Sequence, residues 1–155
     1  MSLHKAEEVL KKGSLKTFIR VIEEHKVDIF DRNAFLFRQA IQYSQFNILR
    51  YLFLGEYYNL YDLKSPRTHD PVITAVKLSG RPVFDLDILS DGYLANADHV
   101  GIFEFLRAFG YDVTSENMLH EFKHKQSYSI LTHILDSGLV SIEVLASGYL
   151  DEVPF

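Results

Sequence analysis

Three side chains make the strongest case for chemistry in this chain. His120, Glu121 and His124 form the pattern H-E-x-x-H. On a helix, two histidines four residues apart share one face and can hold zinc, and the glutamate between them could act as general base on metal-bound water. A catalytic zinc needs a third protein ligand. Glu143, nineteen residues after His124, is the candidate, because the position six residues after His124 is Ile130 and not a third histidine. A zinc-dependent hydrolase is therefore one reading. Against it stands the lack of strand-like alternation, since such an enzyme needs walls to shape its cleft.

Other reactive combinations are thinner. The chain has no cysteine, no G-x-S-x-G and no phosphate-binding loop. Asp85, Asp87 and Asp91 lack the glycine and glutamate that a calcium loop requires, and read as a solvated helix face. Residues 64–69 form a locally basic stretch, and residues 55–61 carry Tyr57, Tyr58 and Tyr61. Both are candidate contact patches on loops.

Composition narrows the setting. With 155 residues, 47% of them hydrophobic, the chain suits a single domain, 1–155, with a sizeable core. No apolar run nears the ~18 residues that span a bilayer, so no membrane partner is expected. The first eight residues have no apolar core and turn acidic early, so no secretory signal is expected. The absence of cysteine excludes disulfides and fits a cytoplasmic location. A net charge of −5 without a basic stripe argues against nucleic acid as a partner.

The elements that would carry these residues emerge from a repeat. Two adjacent apolar residues are followed, one helical turn later, by two more. The pattern occurs as Phe18-Ile19 with Val21-Ile22, Ile48-Leu49 with Leu52-Phe53, Ile102-Phe103 with Phe105-Leu106, and Ile130-Leu131 with Ile134-Leu135. Gly110 and Gly138 lie eight residues after the start of their pattern and Gly55 lies seven after, where glycine can end a helix in the left-handed conformation. The first unit has Lys26 there, which predicts no such cap. Residues 35–43 and 117–125 read as shorter helices, each about five residues before its partner, making helical hairpins. A further helix is expected at 100–109, and residues 90–99 before it are either an insertion or the remnant of another repeat. Residues 88–94 and 144–150 share the pattern of a helix end followed by Gly-Tyr-Leu.

Residues 37–53, FRQAIQYSQFNILRYLF, resemble an ankyrin repeat, as do residues 119–138. Leu119-His120 and Leu3-His4 match that family's Leu-His signature, and Gly110-Tyr111-Asp112-Val113 resembles its junction between repeats. The departures are specific. The Thr-Pro that opens the first helix is missing, with only Asp70-Pro71 close to it, and the turn glycine becomes Ser44, Ser79 or Gln126. The resemblance implies an all-α solenoid of about four to five stacked hairpins with shortened fingers. The units run approximately 1–27, 28–57, 58–112 and 113–138, with a C-terminal cap at 139–155.

The same resemblance implies a non-catalytic, monomeric protein-interaction module without a cofactor, whose partner is another protein. An inhibitor, an immunity-type protein or an effector, acting in the cytoplasm or in a host cytosol, fits that description. Carried over residue by residue, the contact positions are Arg32, Asn33, Gln42, Tyr43, Arg67, His69, Lys77, Leu78, Lys123 and His124. In this register His120 is the family's structural histidine and not a zinc ligand.

Overall fold

The computed structural model describes residues 2–29, 31–55, 58, 74–76, 78 and 92–143. All regular structure among them is helical. No helix there is long and apolar enough to cross a membrane. The chain forms two compact units, residues 1–88 and 89–155.

In the first unit, α1 (Ser2–Lys12), α2 (Leu15–His25), α3 (Asp31–Gln42) and α4 (Phe46–Leu54) follow one another with short connections. Leu3, Ala6 and Leu10 place a buried stripe along α1, at the three- and four-residue spacing of one helix face. α1 packs on α2 and on α3, while α4 packs on α3 and on α2. First helix thus meets first helix, and second meets second. Ala6 and Ala40, both fully buried, are the small residues of the adjoining first helices. Phe37 and Phe53 lock α3 to α4 edge to face, with ring centres 5.0 Å apart. Within the described part of residues 74–78, Val76 is buried and Leu78 is 82% exposed.

The second unit repeats this plan. Its helices are α5 (Tyr93–Ala97), α6 (Val100–Phe109), α7 (Glu116–His124) and α8 (Tyr128–Asp136). α5 packs on α7, α6 on α8, and α7 on α8. Residues 93–97 thus form a short helix that packs on α7. Its brevity has a local cause: Gly92 (φ 76°) and Asp98 (φ 48°) bound it, each in the left-handed region. A side chain at Gly92 would also press on Glu121 Oε2, 3.2 Å away.

One turn geometry recurs in all four hairpins. The residue just before the second helix's cap is left-handed in each: Gly13 (φ 81°), Ser44 (φ 55°), Asp98 (φ 48°) and Gln126 (φ 59°). In this conformation the chain can end one helix and satisfy its last carbonyls within three residues. The amide of Gln45 donates to the carbonyl of Ala40 (2.9 Å) and that of Ser44 to Ile41 (3.1 Å). Ser127 and Gln126 make the same pair of bonds to Phe122 and Lys123. The glycine expected from the sequence pattern is replaced, but its backbone conformation is kept.

Three second helices, α2, α6 and α8, end the same way, whereas α4 ends at Gly55 with φ 58° and ψ −128° and so lacks the left-handed helical cap expected there. A further expectation also needs correction. Lys26 was expected to leave α2 uncapped, yet it adopts φ 48°, and the amide of Val27 donates to the carbonyl of Ile22 at 3.1 Å. Two backbone hydrogen bonds outweigh the left-handed penalty of about 1–2 kcal/mol for a residue with a Cβ. Gly110 and Gly138 cap α6 and α8 with the same bonding, as expected from their positions.

Two stability outcomes follow. Lys26→Gly should raise unfolding free energy by about 0.5–1 kcal/mol in urea denaturation, since relief of the left-handed strain outweighs the chain entropy that glycine adds to the unfolded state. Ala40→Asp should prevent folding of the first unit, because an unpaired carboxylate between α1 and α3 costs several kcal/mol. Circular dichroism melting reads both, and an Ala40→Asp protein melting within a few degrees of the parent would show that the site relaxes.

Candidate interaction surface

The contact positions inferred from the sequence separate into three groups. Gln42 and Tyr43 are exposed at the end of α3, as is His124 at the end of α7, and Leu78 stands almost fully in solvent. Lys123 is buried, 2% exposed, so its side chain is not part of an open face. Arg67, His69, Lys77 and the side chains of Arg32 and Asn33 lie outside the described residues. So do residues 64–69, the three aspartates at 85, 87 and 91, and most of the tyrosine stripe. Of that stripe Tyr58 is described, and it packs edge to face on Tyr51, which packs in turn on Phe18. Its role there is internal packing.

His120 and His124 do share one face of α7. Their rings are nearly parallel, 9° apart in plane, with centres separated by 6.2 Å. Among the described residues no three His, Asp or Glu side chains gather as a metal-holding group, although Glu121 and the exposed Glu143 are both described. Among the described residues no third ligand is brought to the pair. The equivalent histidine of the first unit, His4, is exposed and stands 3.2 Å from Glu8.

What positions the second unit's surface is a set of contacts that the sequence did not reveal. α8 begins at Ser127, but the Ser127 hydroxyl does not cap its own helix. It donates to the carbonyl of Ala95, 2.5 Å away in the preceding hairpin. The capping role passes to Asp98. Its two carboxylate oxygens accept from the amides of Ser129 (3.1 Å) and Ile130 (2.9 Å). A negative charge at a helix N-terminus is favoured by the free amides and by the helix dipole. The turn of one hairpin thus clamps the first turn of the next second helix. A further link lies between the second helices, where His133 Nε2 and Glu104 Oε2 sit 3.2 Å apart, shielded from solvent, close enough for an ion pair but not aligned as a hydrogen bond. Arg107 flanks Glu104 at 3.7 Å on the solvent side.

The first unit has a counterpart to the clamp. The side-chain amide of Gln45, in the second turn, lies against Gly13 in the first, leaving 3.0 Å to where a Cβ would stand. Lys11 places its ammonium 5.5 Å from the centre of the Tyr43 ring. The two turns of this unit therefore adjoin, and their edge carries an exposed aromatic ring beside lysines. The sequence signal for this edge was the run Lys11-Lys12-Gly13-Ser14-Leu15-Lys16, which the overall negative charge obscured.

No protein-family model, curated protein or solved structure matches this chain.

Asp98→Ala should destabilise the second unit by about 2 kcal/mol, because two amides of α8 lose their acceptor and the turn loses a residue tolerant of positive φ. Asp98→Asn, which keeps one acceptor and that tolerance, should lose about half as much in urea denaturation. Equal losses in the two variants would mean that the charge, and not the number of acceptors, holds α8.

Proposed function

We propose that the chain is a non-catalytic protein-interaction module made of stacked, ankyrin-like hairpins with shortened connections, acting by binding another protein. The observation that carries this reading is the shared left-handed reversal in all four described hairpins, combined with first-on-first and second-on-second packing inside each unit. Stacking of that kind aligns equivalent positions of successive hairpins along one edge, as repeat proteins do. Two of the positions inferred as contacts, Tyr43 (39% exposed) and Leu78 (82% exposed), are among the large apolar side chains that remain in solvent. Exposed apolar and aromatic side chains of this size are what a protein partner buries at the centre of an interface.

Capture from native lysate with the full-length chain, followed by mass spectrometry, identifies the partner. The Tyr43→Ala/Leu78→Ala variant should then bind it at least about tenfold more weakly, as expected when aromatic and aliphatic anchors are truncated. Its melting temperature should match the parent's, since both side chains are exposed. Undiminished affinity of this variant would remove the support for the proposed surface.

A further inference from the structure

One stretch of the first unit is rich in positive charge. Residues 9–22 hold Lys11, Lys12, Lys16 and Arg20 and no carboxylate, within a chain of net charge −5. All four side chains are exposed, and none of them makes an ion pair with the described residues. Lys11 and Lys12 end α1, where a cation suits the helix dipole. Lys16 does not have that excuse. It stands in the first turn of α2, which contains no acidic residue, and there its charge opposes the positive end of the helix. Helix stability therefore does not account for a lysine at this position.

The surroundings define the kind of anion. Tyr43 lies under the Lys11 ammonium, and Gln45 bridges the two turns beside it. The edge therefore offers ammonium groups, an amide and an amphipathic ring within one patch of the first unit. We propose that this edge docks an acidic segment of a partner protein, with carboxylates facing Lys11, Lys12 and Lys16 and an apolar side chain covering the free part of Tyr43. The inference rests on the interaction-module reading above and gives the partner's chemistry. A nucleic acid suits the edge less well. Its extended phosphate backbone would run past these few cations onto a negatively charged protein, and Lys11 already covers part of the ring on which a base would stack. An acidic peptide confines its charge to the edge, within roughly one screening length.

The test uses the full chain and fluorescein-labelled deca-glutamate, read by anisotropy at low and near-physiological salt, with deca-thymidylate as the comparison. Deca-glutamate should bind at low salt and weaken about tenfold as salt rises. The Lys12→Glu/Lys16→Glu variant should lose at least about tenfold in affinity while its melting temperature holds, because the acidic first turn that α2 gains offsets the cation that the last turn of α1 loses. Lys125→Glu, an exposed change in the second unit, should leave binding as it was. Absence of deca-glutamate binding, equal losses in the two variants, or tighter binding of deca-thymidylate would each overturn the inference. A captured partner that is lost with Tyr43→Ala/Leu78→Ala but retained with Lys12→Glu/Lys16→Glu would overturn the acidic-segment inference and leave the interaction module standing. Charge-sensitive deca-glutamate binding with no protein partner captured would leave the anion-binding edge standing and remove the support for a partner protein as its ligand.

Discussion

Each hairpin in this protein depends on one backbone state: a single left-handed residue where the first helix must end and the second begin. A helix leaves its last four carbonyls without partners within the helix. The left-handed residue lets its own amide and the next fold back onto those carbonyls, as Ser44 and Gln45 do onto Ile41 and Ala40. Because the reversal is that short, the two helices stay antiparallel and in contact, and their apolar stripes meet. Remove the reversal and the pairing of Phe37 with Phe53 has nothing to bring it about.

Glycine is the easiest residue for this state, yet Ser44, Asp98, Gln126 and Lys26 all adopt it. Tertiary context has overridden local preference at these places. In Asp98 the same residue does two jobs, reversing its own chain and capping a helix 31 residues later through the amides of Ser129 and Ile130. The hairpins are joined by such side-chain links as well as by apolar packing, and the Gln45–Gly13 contact serves the first unit in a similar way.

This distribution explains what could be read from the sequence. Helices α4, α6 and α8 announce themselves because buried pairs such as Ile102-Phe103 and Phe105-Leu106 repeat with the period of a helix, and Gly110 and Gly138 mark their ends. Tyr43 and Leu78, which their register places on the outside, are exposed. α5 was not legible, because five residues are too few to show a period. Nor was the left-handed Lys26, since nothing about a lysine advertises that state. The burial of Lys123 and the reach of Asp98 depend on neighbours distant in the chain, which no local pattern encodes. The H-E-x-x-H motif shows the converse: a pattern written in sequence to which no third ligand is gathered among the described residues.

The Asp98 clamp also changes what certain amide protons report. In an ordinary helix the second and third amides exchange with solvent as the end frays, and their protection says little about the rest of the molecule. Here the amides of Ser129 and Ile130 are held by a carboxylate from a different hairpin. Their exchange is governed by separation of α8 from the turn after α5, an event larger than fraying and smaller than global unfolding. Those two protons are thus a built-in gauge of how tightly one hairpin is fastened to the next.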